Sequence, residues 1–564
     1  MVYCISDHIV SPLARGSETN YRAVLAGGSA LCHHEGMTPD PITASLFTAE
    51  QWAEIMVDGL TRFESLVVQS ARRAIADAAI DVASPRAVLI IGTTKGNIDL
   101  LRHDRPVDER VYPGTAAQRI ADALGFTTTP IVACNACISG VAALVLAQQL
   151  LEAGIYDHAV VCGADVQSRF TVSGFQALKA TSQSACRPFD MERTGLNLGE
   201  AAATMVLQRN APSVPAFAIM AGAIRNDAFH VSSPSKNGEG AFLALEAIKA
   251  GEHASELAFV NAHGTATMFN DQMESVAIER AGLADVPVNG LKGYYGHTMG
   301  AAGVLETVIS MHALRDHTIV GTRGYSERGV SGHISLSSEH QPTGKSAFVK
   351  MISGFGGGNA ALLCTLPSTS NTIQPTLKRG ESSNGHQHHV LLTPGRLVVD
   401  GVEQPTFDSL TTLYKRVMGD YPKYYKMDLL ARLALVATEV LLQAEGGNRF
   451  VPRHDRAVVF FNRTSSVIAD RDYLASIDGD EGYYPSPGAF VYTLPNLAVG
   501  EVAMRNHYHG ETSFYILPQR DDALIAQVAH AAHSAPGTTS LITGWLDYPA
   551  DGNYIAQLYL LNKA

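Results

Sequence analysis

The sequence predicts a layered α/β fold with largely buried sheets, partly repeated after a linker. Three observations carry this. Short β-branched runs alternate with helical stretches through residues 1–366, which are rich in Gly and Ala. A polar stretch then breaks the pattern at 367–389, and α/β character resumes over 390–564. Strands that alternate with helices imply sheets covered by helices.

The strands are short and apolar. "AVLIIG" (87–92), "HAVVCGAD" (158–165), "AAATMVLQ" (201–208), "AFVNAHG" (258–264) and "AALLCTL" (360–366) read as buried strands. Amphipathic helices fall between them, as in "FESLVVQSARRAIADAAI" (63–80) and "GAAGVLETVISMHALRD" (300–316). "SGVAALVLAQQLLEAG" (139–154) is also helical, and its final Gly suits a C-terminal cap.

"PSTSNTIQPTLKRGESSNGHQHH" (367–389) reads as a polar linker. Its histidines, His386, His388 and His389, read as solvated, because no cysteine or carboxylate cluster joins them. Beyond it, 390–564 faintly repeats the first half. "RAVLIIGTT" (86–94) matches "RAVVFFNRT" (456–464), "YPGTAAQRIADAL" (112–124) matches "LPNLAVGEVAMRN" (494–506), and "HAVVCGADV" (158–166) matches "TSLITGWLD" (539–547). Sliding Pro113 onto Pro495 sets Cys137 opposite Gln519, and no cysteine occurs in this segment. "RNHYHGETSFY" (505–515) carries His507, His509 and Glu511; alternation on a strand is preferred to a metal site.

Bulk properties narrow the class. The chain has 564 residues, 46% hydrophobic and 17% charged, as in globular proteins. The length suggests about 3–4 units of about 150 residues. A formal net charge of −12 excludes general binding to nucleic acid or anionic membrane, which needs a basic surface. The apolar runs stop well short of the ~20 residues that span a bilayer. "MVYCISDHIVSPLARG" does not read as a targeting segment. Seven scattered cysteines, none after Cys364, suggest reduced thiols and a cytoplasmic location.

Cys137 is the first candidate for chemistry. It lies at a strand-to-helix junction, where the positive end of the helix dipole lowers a thiol pKa and favours the thiolate. Ile138, Ser139 and Gly140 leave room for a substrate to approach the backbone. Cys134 completes a C-x-x-C, but no second pair follows, so packing explains it better than zinc. "NAHGTATMFNDQMES" (261–275) sets His263 at a strand end beside Gly264. "LKGYYGHTMGAAGVLE" (291–306) sets His297 in a Gly-rich loop, five residues after Lys292. "ISGFGGGNAALL" (352–363) adds a Gly-rich turn with Phe355. Ligands of α/β sheets bind at such strand ends.

This ordered set resembles the elongating β-ketoacyl-(acyl carrier protein) synthases of the thiolase-like superfamily. The resemblance covers about 1–366 and includes "RPFDMERTGLNLGEAAA" (187–203). Two histidines accompany the cysteine, as in the elongating branch; starter-type enzymes pair Cys with His and Asn. Thiolases use a second cysteine near the domain's end, which "GFGGGNA" lacks.

The resemblance implies a layered α-β-α-β-α domain at 1–366; the Cys-free half-copy at 390–564 is expected to be noncatalytic, acting either like a chain-length factor or as a docking or stabilising domain. It implies decarboxylative condensation of malonyl-acyl carrier protein with an acyl chain on Cys137. His263 and His297 would bind the malonyl thioester carbonyl and promote loss of CO2. Lys292, with Asp271, Glu274 and Glu200, would support the polar network. The backbone N–H groups of Cys137 and Phe355 would form the oxyanion hole, with Phe355 as a gate. No metal or free cofactor is implied, since acyl groups arrive on the phosphopantetheine arm of a carrier protein.

"ACNACISG", "HGTATMFND" and "KGYYGHTMG" depart from commoner forms, closest to the ketosynthases of aryl polyene and flexirubin-like pigment pathways. Two other functions stand beside this one: a noncatalytic scaffold or chain-length-factor-like partner of another ketosynthase, and a Cys-dependent acyl transferase or hydrolase. A homodimer or a ketosynthase-like partner is expected. The alternative is that 390–564 fills part of that interface within one chain.

Overall fold

The computed structural model describes residues 1–213, 216–366, 386–478 and 482–563. The first half of the ketosynthase-like region builds one sheet from β1 (Val2–Val10), β2 (Ala87–Gly92), β3 (Ile131–Ala133), β4 (His158–Asp165) and β5 (Ala201–Gln208). Their order across the sheet is β1-β5-β4-β2-β3, with β4, β2 and β3 mutually parallel. Every residue of β2 is buried, as its unbroken apolar run requires.

Helix α1 (Arg62–Ala78) begins at a capping box: Thr61 accepts from the Glu64 amide and Glu64 returns to the Thr61 amide. Helix α2 (Pro113–Leu124) starts with Pro at its first position. Helices α3 (Ser139–Glu152) and α4 (Arg169–Ala177) follow.

The second half repeats the pattern. Strands β6 (Phe217–Asn226), β7 (Leu257–Asn261), β8 (Pro287–Asn289), β9 (Ala347–Ser353) and β10 (Gly358–Thr365) lie in the order β6-β10-β9-β7-β8. Its helices include α5 (Met268–Arg280) and α6 (Ala302–Arg315). Helices α3 and α6 are the central layer, and all but the last residue of each is buried. A helix apolar on all sides needs neighbours all round.

Most sequence-predicted elements stand within two residues of their expected ends. The strand expected at 258–264 is shorter, ending at Asn261, so Ala262–Gly264 turn away from the sheet.

The C-terminal lobe has the topology of the first half alone. It contains β11 (His386–Thr393), α7 (Leu429–Glu445), β12 (Arg456–Asn462), α8 (Val467–Asp478), α9 (Pro487–Tyr492), α10 (Leu497–Asn506), β13 (Thr512–Ile516), α11 (Asp522–His533), β14 (Ser540–Ala550) and β15 (Asn553–Asn562). Its strands run β13-β12-β14-β15-β11. Strand β13 pairs antiparallel with β3, Tyr515 opposite Ala133 and Ile516 opposite Val132. Two copies of one half-fold thus share a continuous sheet, joined edge to edge.

A polar latch marks the duplication. Thr94 donates its amide and hydroxyl to Asp165, and Thr464 donates its own to Asp547. These pairs sit at matching ends of the repeats read in the sequence.

Three readings change here. The polar stretch gives way to strand at His386, so 386–389 belong to β11, while 367–385 lie outside the described residues. His507 is not on a strand: it adopts the left-handed conformation that ends α10. Glu511 precedes β13, buried, and accepts from Gln149 at 3.1 Å. Gln519 is exposed between β13 and α11, and the strand pairings match Ala133 to Ile516, which sets Arg520 rather than Gln519 opposite Cys137. Among the described residues no helix is long and apolar enough to cross a membrane.

Candidate active site

Cys137 follows β3 on a single 3-10 turn, Ala136–Ile138, that runs into α3. Ala136 has φ +51°, a left-handed value strained for a residue with a Cβ. The turn is held by Ser139, whose hydroxyl accepts from the Asn135 amide at 2.9 Å and donates to the Ala136 carbonyl at 2.6 Å. Gly140 is not space for substrate. A Cβ there would lie 2.6 Å from the Gly300 carbonyl, so its bareness lets the turn before α6 pack on α3. Cys134 is fully buried just past β3, its amide bonded to the Phe514 carbonyl, which fits the packing role.

His263 leaves the end of β7 with its peptide gripped on both sides. Its N–H donates to Glu274 at 2.7 Å, and its carbonyl accepts from Lys292 Nζ at 2.5 Å. Glu274 also takes the Gly264 amide at 2.8 Å. His297 Nδ1 accepts from the Met299 amide at 3.2 Å, which assigns its ring proton to Nε2. Nε2 of His297 and Nδ1 of His263 are buried without protein partners among the described residues.

Cys137, His263 and His297 each bring one ligand atom within 4.8 Å of the others. The two rings stand edge to face, centroids 4.9 Å apart. A thiol and two imidazoles at this spacing are also the described group best placed to hold a soft metal ion.

The electrostatics correct one expectation. Burial pushes the Cys137 thiol up to about 12, and Lys292 pulls it back only in part, so the resting group is a thiol. Burial, with Lys292 behind it, also holds both histidines well below their ordinary range, so both rings are neutral.

Lys292 does not touch an imidazole in these contacts; it bonds Glu306 at 2.8 Å. Lys350 bonds the other Glu306 oxygen and Asn261 at 2.7 Å. Burial opposes the Glu306 carboxylate, yet the two lysines carry its pKa below the usual range. Asp271 is one layer back, accepting from the Phe189 amide at 2.7 Å. Glu200 is elsewhere: it ties the Phe47 and Gln167 amides at 2.9 and 3.0 Å, and the structure does not bring it to the cluster.

Glu306, Lys350 and Asp165 escape the sequence reading. The first two carry a faint signal, a charge inside an otherwise apolar helix or strand. Asp165 fixes the turn before α6, taking the Gly300 amide at 2.7 Å and the Thr93 hydroxyl at 2.7 Å.

A cleft of about 380 Å³ reaches the cluster from the surface, passing Thr265 and Thr267. Met268 and Phe269 at its rim are 58% and 75% exposed. On the far side of Cys137 lies a narrow crevice, walled by Thr171, Phe175, Met299, Phe355 and, from the C-terminal lobe, Phe490 and Leu494. Lys95 borders it and bonds Asp470 at 2.7 Å, and Asp470 is also in the C-terminal lobe.

Comparison with known proteins agrees with this architecture. Residues 44–213 match the model of the beta-ketoacyl synthase N-terminal domain, and 217–326 match that of the C-terminal domain. These matches and the fold make the chain a member of the thiolase-like beta-ketoacyl synthase family. It is 29% identical over 398 residues to the 3-oxoacyl-[acyl-carrier-protein] synthase 2 of Vibrio cholerae, covering 63% of this chain and 96% of that protein. Among solved structures it is similar to the ketosynthase ApeO, in complex with its chain length factor ApeC, from Xenorhabdus doucetiae. That match has 25% identity and a TM-score of 0.56, over 65% of this chain and 98% of the other. The PfaC keto synthase-chain length factor aligns with 100% of this chain and 78% of its own, at a TM-score of 0.77. Its identity is 13%, a likeness of fold.

Proposed function

We propose that the protein is a β-ketoacyl-(acyl carrier protein) synthase that condenses malonyl-acyl carrier protein with an acyl chain held on Cys137. The observation that carries this is the convergence of Cys137, His263 and His297 at the inner end of a cleft.

In the first half-reaction the Cys137 sulfur forms a bond to the acyl carbonyl carbon, and the carrier's thiol leaves. The thiol proton passes to a neutral imidazole and then to the leaving sulfur. In the second, the malonyl carboxylate leaves as CO2, and its bonding pair becomes the enolate of the thioester. The enolate carbon then bonds to the acyl carbonyl carbon, and the Cys137 sulfur departs as a thiolate and takes a proton from water, relayed by an imidazole. The product is a 3-oxoacyl thioester two carbons longer.

His297 Nε2–H, assigned as a donor, and His263 stabilise the enolate oxygen; neutral rings suit hydrogen-bond donation to a developing anion. The Cys137 and Phe355 amides take the acyl carbonyl oxygen. Lys292, Glu306 and Lys350 hold His263 without entering the reaction. Acyl groups come on the phosphopantetheine of a carrier protein.

The C-terminal lobe serves as a built-in, noncatalytic partner that caps the acyl space. The edge of β3 is filled by β13 of the same chain, and Phe490 and Leu494 face the space beside Cys137. This supports a chain-length-factor-like role for 390–564 inside an active enzyme, and a one-chain particle in solution. Seven free cysteines fit a reducing, cytoplasmic setting.

Intact-mass spectrometry tests the reading. Wild type incubated with acyl-carrier protein gains the acyl mass, and malonyl-carrier protein then removes it as extended ketoacyl-carrier protein. Cys137→Ala gains nothing. Acyl loss without extension would mean hydrolysis, and extension by Cys137→Ala would sink the proposal.

A further inference from the structure

We propose that Asn496 of the C-terminal lobe is a positioning residue for the Phe355 loop, setting the geometry over Cys137 from outside the ketosynthase half. Its rate consequences rest on the ketosynthase reading; its contacts do not.

Asn496 occupies the N-cap position of α10, yet its side chain makes no capping bond. An Asn there ordinarily satisfies its own helix's first amides. Here Nδ2 donates instead to the Phe355 carbonyl at 2.8 Å, across 141 residues of chain. Asn496 is 4% exposed and its Oδ1 has no partner among the described residues, so the side chain's hydrogen bonding there is this one bond.

The backbones fit as closely. Gly356 has φ +85°, and a Cβ on it would stand 2.7 Å from Asn496 Nδ2. Gly500, one turn further along α10, would put a Cβ 2.5 Å from the Gly356 carbonyl. On the opposite side, a Cβ on Gly354 would lie 3.2 Å from the Cys137 nitrogen. The Phe355 loop is thus clamped between α10 and the turn that carries the thiol. The Phe355 side chain packs against a cluster that includes Leu494 and Leu497 of the C-terminal lobe.

Leu494 faces the acyl space and stands two residues before Asn496. One turn of the C-terminal lobe therefore touches both the acyl chain's space and the loop in front of the thiol. Without the Asn496 amide, the Phe355 carbonyl loses its partner, and the loop keeps only its bonds to Asn226, Asp227 and Val231 of the ketosynthase half.

The test uses full-length Asn496→Ala and Asn496→Asp, the latter keeping shape but not the donor. Cys137 alkylation by iodoacetamide, followed by intact mass, needs no carrier protein. Both variants should alkylate several-fold faster than wild type. In the condensation assay, kcat should fall about tenfold, the worth of one such bond, with KM for the carrier protein within about twofold. Melting temperatures are measured alongside. Wild-type alkylation rates in variants that melt as wild type would overturn the proposal, as would a rise in KM with kcat unchanged. If wild type performs no condensation, the ketosynthase reading fails, and alkylation alone still decides the role of Asn496.

Discussion

Lys95 Nζ bonds Asp470 Oδ1 at 2.7 Å although 375 residues separate them. Both side chains are about 5% exposed, and Lys95 also donates to the Thr493 carbonyl. A buried ion pair thus ties the two lobes beside the crevice that borders Cys137. Removing one member leaves a buried charge unbalanced, which costs about 3–5 kcal/mol. Asp470→Asn and Lys95→Met should each lower stability by about that much in urea denaturation, and the double variant Lys95→Met/Asp470→Leu should recover most of it.

Cys137 should react as a raised thiol. Its reactive form is the thiolate, and below a pKa of about 12 that fraction grows with pH. Iodoacetamide alkylation should climb about tenfold per pH unit, with no plateau between pH ~7 and ~9. A plateau near neutral pH would mean that the helix dipole wins over burial.

Glu306 should hold the histidine scaffold. Its folded pKa lies below the ordinary value, so its stabilisation is complete above the ordinary carboxylate range and is lost as pH falls through the lowered value. Glu306→Gln leaves Lys292 and Lys350 uncompensated in the core. The variant should lose about 3–5 kcal/mol at neutral pH. Much of that difference from wild type should vanish in acid unfolding experiments.

Phe490 should limit acyl length. A Cβ on Gly174 would lie 2.1 Å from its ring, so the side chain presses directly on α4 at the wall of the space. Phe490→Ala should shift products toward longer chains, read by mass spectrometry of released ketoacyl groups. It should also cost about 3–5 kcal/mol of stability. An unchanged product distribution would mean that the space beside Cys137 does not receive the acyl chain.

Much of the fold was legible because it depends on local pattern. β2, β4 and β5 occupy the very runs expected, since an unbroken apolar stretch is buried wherever it goes. Cys137, His263 and His297 were legible through their Gly-rich strand ends. Glu306 and Lys350 were not singled out, because a charge in an apolar run gains meaning only when its partner is known. Strand alternation failed at His507, where a helix end supplied the reason for the residue.

The sequence by itself determined the half-fold, its repetition and the residue types able to form and break a thioester. Only the tertiary structure decided the protonation of the thiol, because burial is a property of the packed chain and here it raises the thiol pKa. It alone decided that 390–564 lies edge to edge with β3 and lends Phe490, Leu494 and Asn496 to the site. Those contacts span more than a hundred residues, and no local pattern encodes which distant surface a side chain will meet.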